Sequence, residues 1–183
     1  MVANAGIASS APIGETTTEL WSKNFDVLAQ GYFLTAKYAW PLLQGMSQQG
    51  GSSVVFVGSK NAVAAAKNAS AYASAKAAAN HLARCLALEG ADDGIRVNIV
   101  NPDAVIKGSR IWDGDWRQER AGAHGIDSGD ELEEHYRQRS MLKRSVLPQD
   151  IAEAIYWFAS DASAKSTGNM INVDAGNAQA FTR

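Results

Sequence analysis

The stretch SSVVFVGSKNAVAAAKNASAYASAKAAANHL, residues 52–82, joins a short apolar run to a long alanine-rich segment. VVFVG at 54–58 is continuously apolar and β-branched, which favours a strand buried on both faces of a parallel sheet. The alanine-rich segment predicts a helix that is capped by Asn68 or Ser70 and ends near Glu89, where GADDG follows. This order of elements is typical of the first half of a βαβ unit.

The rest of the chain continues the alternation of strands and helices. IRVNIV at 95–100 and NMINVD at 169–174 predict two more short strands, and residues 150–159 form an amphipathic pattern that predicts a helix. Such alternation indicates an α/β fold of three layers, in which helices cover both faces of a parallel sheet.

A long helix is predicted upstream of the first strand, from Thr16 to about Leu43. Apolar residues recur on one stripe of this segment, and Thr16 with Glu19 matches a capping box. Pro41 is expected to mark the end of the helix, because proline disrupts a helix interior.

Composition indicates one globular domain spanning residues 1–183, with 46% hydrophobic and 20% charged residues. The 17 basic and 19 acidic residues are interspersed, which argues against nucleic acid or an anionic membrane as a partner. No apolar run approaches the roughly 20 residues of a membrane span. Cys85 is the single cysteine and no signal peptide is recognised, so we expect a soluble cytoplasmic protein.

Tyr72 and Lys76 lie four residues apart on the predicted helix and therefore share one face. A phenol has a pKa near 10, and an adjacent ammonium favours its phenolate, so the two form a candidate acid/base pair. The alternative is two amphipathic side chains on the surface of a small-residue helix. Ser59 follows the strand VVFVG at the sheet edge where α/β proteins bind ligands, although a solvated loop serine fits equally well.

These residues resemble the short-chain dehydrogenase/reductase family, whose members carry Ser, Tyr and Lys at the spacing of Ser59, Tyr72 and Lys76. ANAGIA at 3–8 and STGNMINVDAG at 166–176 are similar to further segments of that family. More narrowly, FVGSKNA, GSRIW and NVDAGNAQAFTR resemble the dehydrogenase domain that closes bifunctional rhamnulose-phosphate aldolase/alcohol dehydrogenases. That resemblance implies a Rossmann-like fold and, as substrate, lactaldehyde in rhamnose catabolism.

By the same resemblance, Tyr72 is the general acid/base and Ser59 orients the substrate oxygen. Lys76 lowers the pKa of the tyrosine and holds the nicotinamide ribose of NAD or NADP. The cofactor contacts that the resemblance implies are Asn4, Ala5, Gly6, Tyr72, Lys76 and Val105. Members of the family associate through long helices, so a homo-oligomer formed by the two long helices is expected.

Three departures from the family pattern stand out. Leu28 occupies the place of an asparagine that supports a proton relay, so either the relay differs or Leu28 is simply a core residue. Asp103 replaces the glycine after Pro102 and either contacts a substrate hydroxyl or caps a turn. No glycine-rich phosphate-binding turn is present, so we expect only the carboxyl-terminal portion of the nucleotide-binding domain, with an open sheet edge.

The segment 107–145 carries Trp112 and Trp116 with Arg117 and Arg120 nearby. It follows a strand end that should face the substrate, so it is either a substrate lid or a solvated helical region with a few packed aromatic rings. No metal site is predicted, because no metal-ligand spacing connects the three histidines, His81, His124 and His135.

The sequence therefore predicts an oxidoreductase that transfers a hydride between NAD(P) and a small hydroxy or oxo compound. The competing hypothesis is a non-catalytic fragment that associates with itself through its alanine-rich and apolar helix faces.

Overall fold

The computed structural model of the chain describes residues 1–181 and contains a parallel sheet of four strands. In spatial order the strands are β1 (Val2–Ala3), β2 (Ser52–Val57), β3 (Ile95–Pro102) and β4 (Met170–Val173). The three strands predicted from the sequence are confirmed, and the α/β fold with a parallel sheet is confirmed with them. Thr182 and Arg183, which end the predicted domain, lie outside the described residues.

Within residues 1–181, six α-helices surround the sheet: α1 (Thr18–Phe25), α2 (Gly31–Gln44), α3 (Ser70–Glu89), α4 (Asp115–Ala123), α5 (Leu132–Arg139) and α6 (Pro148–Ala159). Residues of α2 and α3 pack with Phe56 and Ile99 on one face of the sheet. Residues of α6 pack with Val55 and Val100 on the other face. Each central strand is therefore buried on both sides, which explains the continuous apolar runs.

The predicted cap of the first long helix is wrong, whereas its continuity is confirmed, since the backbone stays helical from Thr18 to Gln44 with only a change of helix type. Thr17 caps α1 by accepting a hydrogen bond from the backbone of Leu20 at 3.1 Å. Thr16 does not serve, because its hydroxyl donates to the carbonyl of Pro12 at 3.0 Å. A π-helical segment, Asp26–Gln30, separates α1 from α2. Such wide turns are rare in helices and frequent near functional sites.

The prediction that this helix ends near Leu43 is confirmed to within one residue, since α2 ends at Gln44, whereas Pro41 lies inside the last turn and does not end it. The amide of Gly45 donates to the carbonyl of Pro41 at 3.1 Å and closes the last turn.

The helix α3 ends at Glu89 as predicted, but neither proposed cap is used. Ser70 is the first helical residue, and Ala69 precedes it without a side-chain cap. Asn68 has a φ of 60°, in the left-handed region that asparagine tolerates better than most residues. Among residues 1–181, no helix has the length and apolar character needed to cross a bilayer.

Candidate active site

Ser59, Tyr72 and Lys76 line one cavity of about 840 Å³ at the carboxyl ends of the strands. We call it the triad cavity. Their exposed fractions are 8%, 8% and 4%, so the structure places all three in the interior rather than on a solvated surface. Ser59 is distant from Tyr72 and Lys76 along the chain, but it lies near them in space because the carboxyl end of β2 lies beside α3.

Ser59 is held at the sheet edge through its backbone. Its amide donates to Oδ1 of Asn101 at 2.9 Å, and Asn101 in turn receives a hydrogen bond from Nδ2 of Asn80 at 3.1 Å. The Ser59 hydroxyl accepts from the amide of Asn61 at 3.1 Å. That contact uses a lone pair of the hydroxyl, so its proton is available to Tyr72 or to a substrate oxygen.

Gly58 makes this arrangement possible. A Cβ atom at this position would lie 2.1 Å from Oδ1 of Asn101 and 2.5 Å from Oδ1 of Asn80. These separations are far below any van der Waals contact, so a side chain would push the asparagines away from the strand end. The glycine therefore secures the position of the neighbouring Ser59.

Tyr72 has a pKa raised above its usual value near 10, chiefly by burial. A hydrogen bond from Ser59 lowers the pKa of the phenol, and the nearby carboxylate of Asp103 raises it further. The ring of Tyr72 packs at 5.8 Å from that of Trp116. At neutral pH the group is a protonated phenol in a largely dry site.

Lys76 donates from Nζ to the carbonyl of Val57 at 2.8 Å and to the hydroxyl of Tyr32 at 3.3 Å. Burial lowers the pKa of Lys76 to about 7. The hydroxyl of Tyr32 also donates to the carbonyl of Val57, at 2.7 Å. The ammonium group is therefore tied to the end of β2, and its effect on the pKa of Tyr72 stays a prediction.

Leu28 is fully buried within the π-helical segment. It packs in a small cluster with Tyr72 and Ala75, and its Cδ2 lies 3.5 Å from where a Cβ of Gly6 would be. Leu28 is thus a core residue that supports the tyrosine, and it supplies no hydrogen bond. Tyr32, one helical turn further along, is the polar residue that could take the place of the asparagine in a proton relay.

The residues expected to contact a cofactor also line the triad cavity. Asn4, Ala5 and Gly6 follow β1 directly and are exposed on its wall. Val105 lies on the same wall beyond β3 and packs against the cluster of Val55 and Val100. The structure thus brings every predicted site residue to one cavity.

The segment 107–145 forms another wall of that cavity with Trp112, Trp116 and Arg120. The two indole rings lie 5.8 Å apart, and the guanidinium of Arg120 stacks over Trp116 at 5.4 Å. Arg117 points elsewhere, since it donates to the carbonyl of Gly129 at 2.8 Å. The aromatic rings are packed rather than solvated, and whether the segment moves as a lid stays a prediction.

Asp103 lines the same cavity and accepts a hydrogen bond from Nδ2 of Asn177 at 2.9 Å. Burial raises the pKa of Asp103, while Lys60 opposes the shift. The rings of His124 and His135 lie 4.8 Å apart, whereas His81 is exposed. Within residues 1–181, no group of three or more His, Cys, Asp or Glu side chains has the geometry to hold a metal ion.

A family model described as enoyl-(acyl carrier protein) reductase matches residues 1–178 of the chain. The solved structures similar to the chain include short-chain dehydrogenases. The chain belongs to the short-chain dehydrogenase/reductase family.

Among its relatives in this family, the uncharacterized oxidoreductase YuxG of Bacillus subtilis is 55% identical over all 183 residues, which span 26% of that protein. Sorbitol-6-phosphate 2-dehydrogenase SrlD of Erwinia amylovora has a TM-score of 0.86 and 29% identity, covering 96% of this chain and 67% of that one. A short-chain dehydrogenase of Mycobacterium paratuberculosis bound to NAD has a TM-score of 0.84 and 29% identity, covering 97% and 63%. The chain therefore matches about two thirds of a solved family domain.

Sequence reasoning missed four residues in and around the triad cavity. Asn101 was seen only as part of a strand, although an asparagine at the polar end of an apolar run is a usable signal. Tyr32 was masked by its place on an apolar helix stripe. Lys60 and Tyr136 carried no local pattern, because each reaches the site only through the folded loops around it.

Proposed function

We propose that this chain carries the reaction centre of an NAD(P)-dependent oxidoreductase acting on a small hydroxy or oxo compound. The observation that supports it most is the convergence of Ser59, Tyr72 and Lys76 in one cavity at the carboxyl edge of the sheet. Membership of the family supports the reaction class, and solved relatives hold NAD or NADP.

The residues present fit the nicotinamide half of the cofactor. Gly6 lacks a side chain where the wall approaches Lys76, since a Cβ there would lie 3.9 Å from Nζ. The ammonium of Lys76 suits ribose hydroxyls, and Asn4, Ala5 and Val105 offer backbone groups around the same opening. A glycine-rich turn for the pyrophosphate is not among these 183 residues.

The bound cofactor supplies or accepts the hydride. In the reductive direction Tyr72 donates its phenolic proton to the carbonyl oxygen, while Ser59 donates a hydrogen bond to the same oxygen. In the oxidative direction the phenolate of Tyr72 takes the hydroxyl proton. The raised pKa of Tyr72 favours the phenol and therefore the reductive direction at neutral pH.

We assign Lys76 and Tyr32 to the path by which protons reach and leave Tyr72. Both donate to the carbonyl of Val57, and the lysine also donates to the hydroxyl of Tyr32. We propose that this pair replaces the polar support that Leu28 cannot provide. Tyr32 is a positioning residue, because it acts on the reaction through Lys76.

As substrate we propose lactaldehyde, which places the protein in rhamnose catabolism. The support is the resemblance of FVGSKNA, GSRIW and the carboxyl-terminal segment to the dehydrogenase domain of the bifunctional aldolase/dehydrogenases. We further propose that segment 107–145 acts as a lid, because its indoles wall the cavity that holds Ser59 and Tyr72. A cytoplasmic location fits the unpaired Cys85.

The test is Tyr72→Phe in the protein expressed from its complete reading frame. Loss of the phenolic proton donor should lower NAD(P)-linked turnover by about 10² to 10⁴-fold while leaving cofactor binding nearly unchanged. Tyr156→Phe is the matched control, because that side chain is 74% exposed on α6. Full turnover by the Tyr72→Phe protein would exclude the assigned role.

A second candidate is a self-associating module without catalysis, and a specific observation favours association. Phe33, Tyr38 and Leu42 on α2 and Leu88 on α3 are exposed by 44%, 72%, 76% and 82%. Burying such side chains against a second copy would be favourable, so we propose a homo-oligomer through these helices. Titration with NAD and NADP separates the candidates, since micromolar binding contradicts a purely structural module.

A further inference from the structure

A second cavity, of about 580 Å³, adjoins the triad cavity. We call it the basic cavity. Its walls carry three carboxylates and six cationic side chains, which are Lys60, Lys67, Arg120, Arg137, Arg139 and Arg144. The excess of positive charge is unusual in a chain whose overall net charge is -2. A concave, cationic surface of this kind attracts anions.

Two of these cations are buried. Lys60 and Arg120 are only 5% and 3% exposed. Within residues 1–181 the side chain of Lys60 forms no hydrogen bond or ion pair, and Arg120 forms no ion pair. Asp103 and Asp174 act on Lys60 from a distance, but no carboxylate contacts it. A buried cation without a contacting counter-ion is costly, and an anion that enters the cavity would offset that cost.

Several hydrogen bonds fix the guanidinium of Arg120 in place. Its guanidinium donates to the carbonyl of Lys67 at 2.9 Å and to the hydroxyl of Tyr136 at 3.3 Å. It also contacts Nε2 of His124 at 3.0 Å, and Arg139 approaches the other ring nitrogen at 3.3 Å. Burial and these two arginines lower the pKa of His124 to about 4, as expected for an imidazole held in a positive field.

Among residues 1–181, none of the three wall carboxylates forms an ion pair with the six cations, although Arg137 is paired with Glu134, which lies outside the cavity lining, at 2.6 Å. Oε1 of Glu133 forms an ion pair with Nζ of Lys107 at 3.1 Å and accepts a hydrogen bond from the hydroxyl of Ser145 at 2.7 Å. Asp174 accepts from the amide of Gly176 through Oδ1, while its buried Oδ2 has no partner among the described residues. That free acceptor suits a hydroxyl group next to the bound anion.

The two cavities are joined. Asp103, Ala104, Arg120 and Tyr136 line both of them, and Lys60 follows Ser59 directly in the chain. A molecule whose reacting carbon lies at Ser59 and Tyr72 therefore has room to extend past Arg120. We propose that the basic cavity binds the phosphate or carboxylate group of a hydroxylated substrate. The inference rests on the proposed oxidoreductase reaction but not on lactaldehyde as the substrate, because neutral lactaldehyde carries no anionic group for this cavity.

Isothermal titration calorimetry on the chain tests this site with three probes: inorganic phosphate, glycerol 3-phosphate and glycerol. We expect phosphate to bind, glycerol to show no heat, and glycerol 3-phosphate to bind at least tenfold more tightly than phosphate. Equal affinity for the two anions would reveal a site for free phosphate and would overturn the substrate-borne group. Absence of binding by both anions would overturn the site itself.

Lys60→Gln should weaken binding of glycerol 3-phosphate at least tenfold, and the exposed Lys165→Gln is the matched control. Arg139→Gln, at an exposed position, repeats the test if Lys60→Gln does not fold. Unchanged affinity in the folded variants contradicts the proposal. In NMR titrations the pKa of His124 should rise when phosphate is added, because the anion offsets the arginines.

These measurements need no turnover, so they separate the two proposals. Glycerol 3-phosphate binding in a protein without NAD(P)-linked activity would sink the proposed function and leave the site. If Tyr72→Phe abolishes turnover and neither anion binds, the proposed function is supported and the anion site is overturned.

Discussion

The triad cavity and the basic cavity share the side chains of Arg120 and Tyr136 but are built from different parts of the fold. The triad cavity draws Ser59 from the end of β2 and Tyr72 with Lys76 from α3. All three are buried, and hydrogen bonds to Asn101 and to the carbonyl of Val57 hold Ser59 and Lys76. The basic cavity draws its charges from loops and from the short helices α4 and α5. Proton transfer requires fixed geometry, whereas attraction of an anion requires mainly positive charge.

The two cavities should respond differently to pH. Because burial raises the pKa of Tyr72, the phenol stays protonated from pH 7 to 9. The kcat for alcohol oxidation should then rise about tenfold per pH unit over this range, since only the phenolate accepts a proton. The kcat for carbonyl reduction should stay nearly constant. Steady-state assays at saturating cofactor measure both, and a flat oxidation profile would contradict the assignment.

Gly58→Ala tests whether the triad cavity depends on fixed geometry. The added Cβ would clash with Asn101 and Asn80, which should lower the free energy of unfolding by roughly 1–3 kcal/mol. Displacement of Ser59 should also lower kcat by about 100-fold. Chemical denaturation and steady-state assays measure the two effects.

Gly122→Ala in α4 is the control for that change. No atom outside its own helix and chain neighbours lies within 4 Å of the added Cβ, so this variant should gain roughly 0.5–1 kcal/mol. If both glycine variants behave alike, crowding at the end of β2 does not position Ser59.

Lys76→Met tests the burial of charge in the triad cavity. The pKa of Lys76 falls from 10.5 to about 7 on folding, so the unfolded chain binds more protons between these values. The stability of the parent should therefore increase as pH rises through this window, and the variant should lack that increase. We expect the Tm of the variant, relative to that of the parent at the same pH, to fall by roughly 5 °C from pH 7 to 9.5. Lys165→Met serves as the exposed control, and identical pH profiles for Lys76→Met and parent would refute the shift.

Tyr32→Phe should have the smallest effect, because Lys76 keeps its hydrogen bond to Val57. Loss of the Tyr32 hydroxyl should cost about 1 kcal/mol of stability and lower kcat a few-fold, with an altered pH profile and an unchanged KM. Tyr156→Phe, at an exposed position of α6, is the matched control. A change in KM alone would place Tyr32 outside the proton path.

The strands and the end of α3 could be predicted because their signals are local. VVFVG, IRVNIV and NMINVD are apolar runs that favour buried strands wherever they occur. The prediction of the α1 cap failed for a physical reason. Thr16 and Thr17 both have suitable hydroxyls, and only the turn at Pro12 decides which hydroxyl is free to cap the helix. The continuation of α2 past Pro41 likewise depends on packing that a local rule does not include.

The sequence by itself determined the α/β fold, the family and the spacing of Ser59, Tyr72 and Lys76, because these depend on periodicity and on short motifs. Only the tertiary structure decided that Asn101 holds Ser59 and that Tyr32 holds Lys76. It also decided that Lys60 and Arg120 meet in one basic cavity. Residues 40 to 60 positions apart become neighbours only when the strands align, and burial then sets their pKa values.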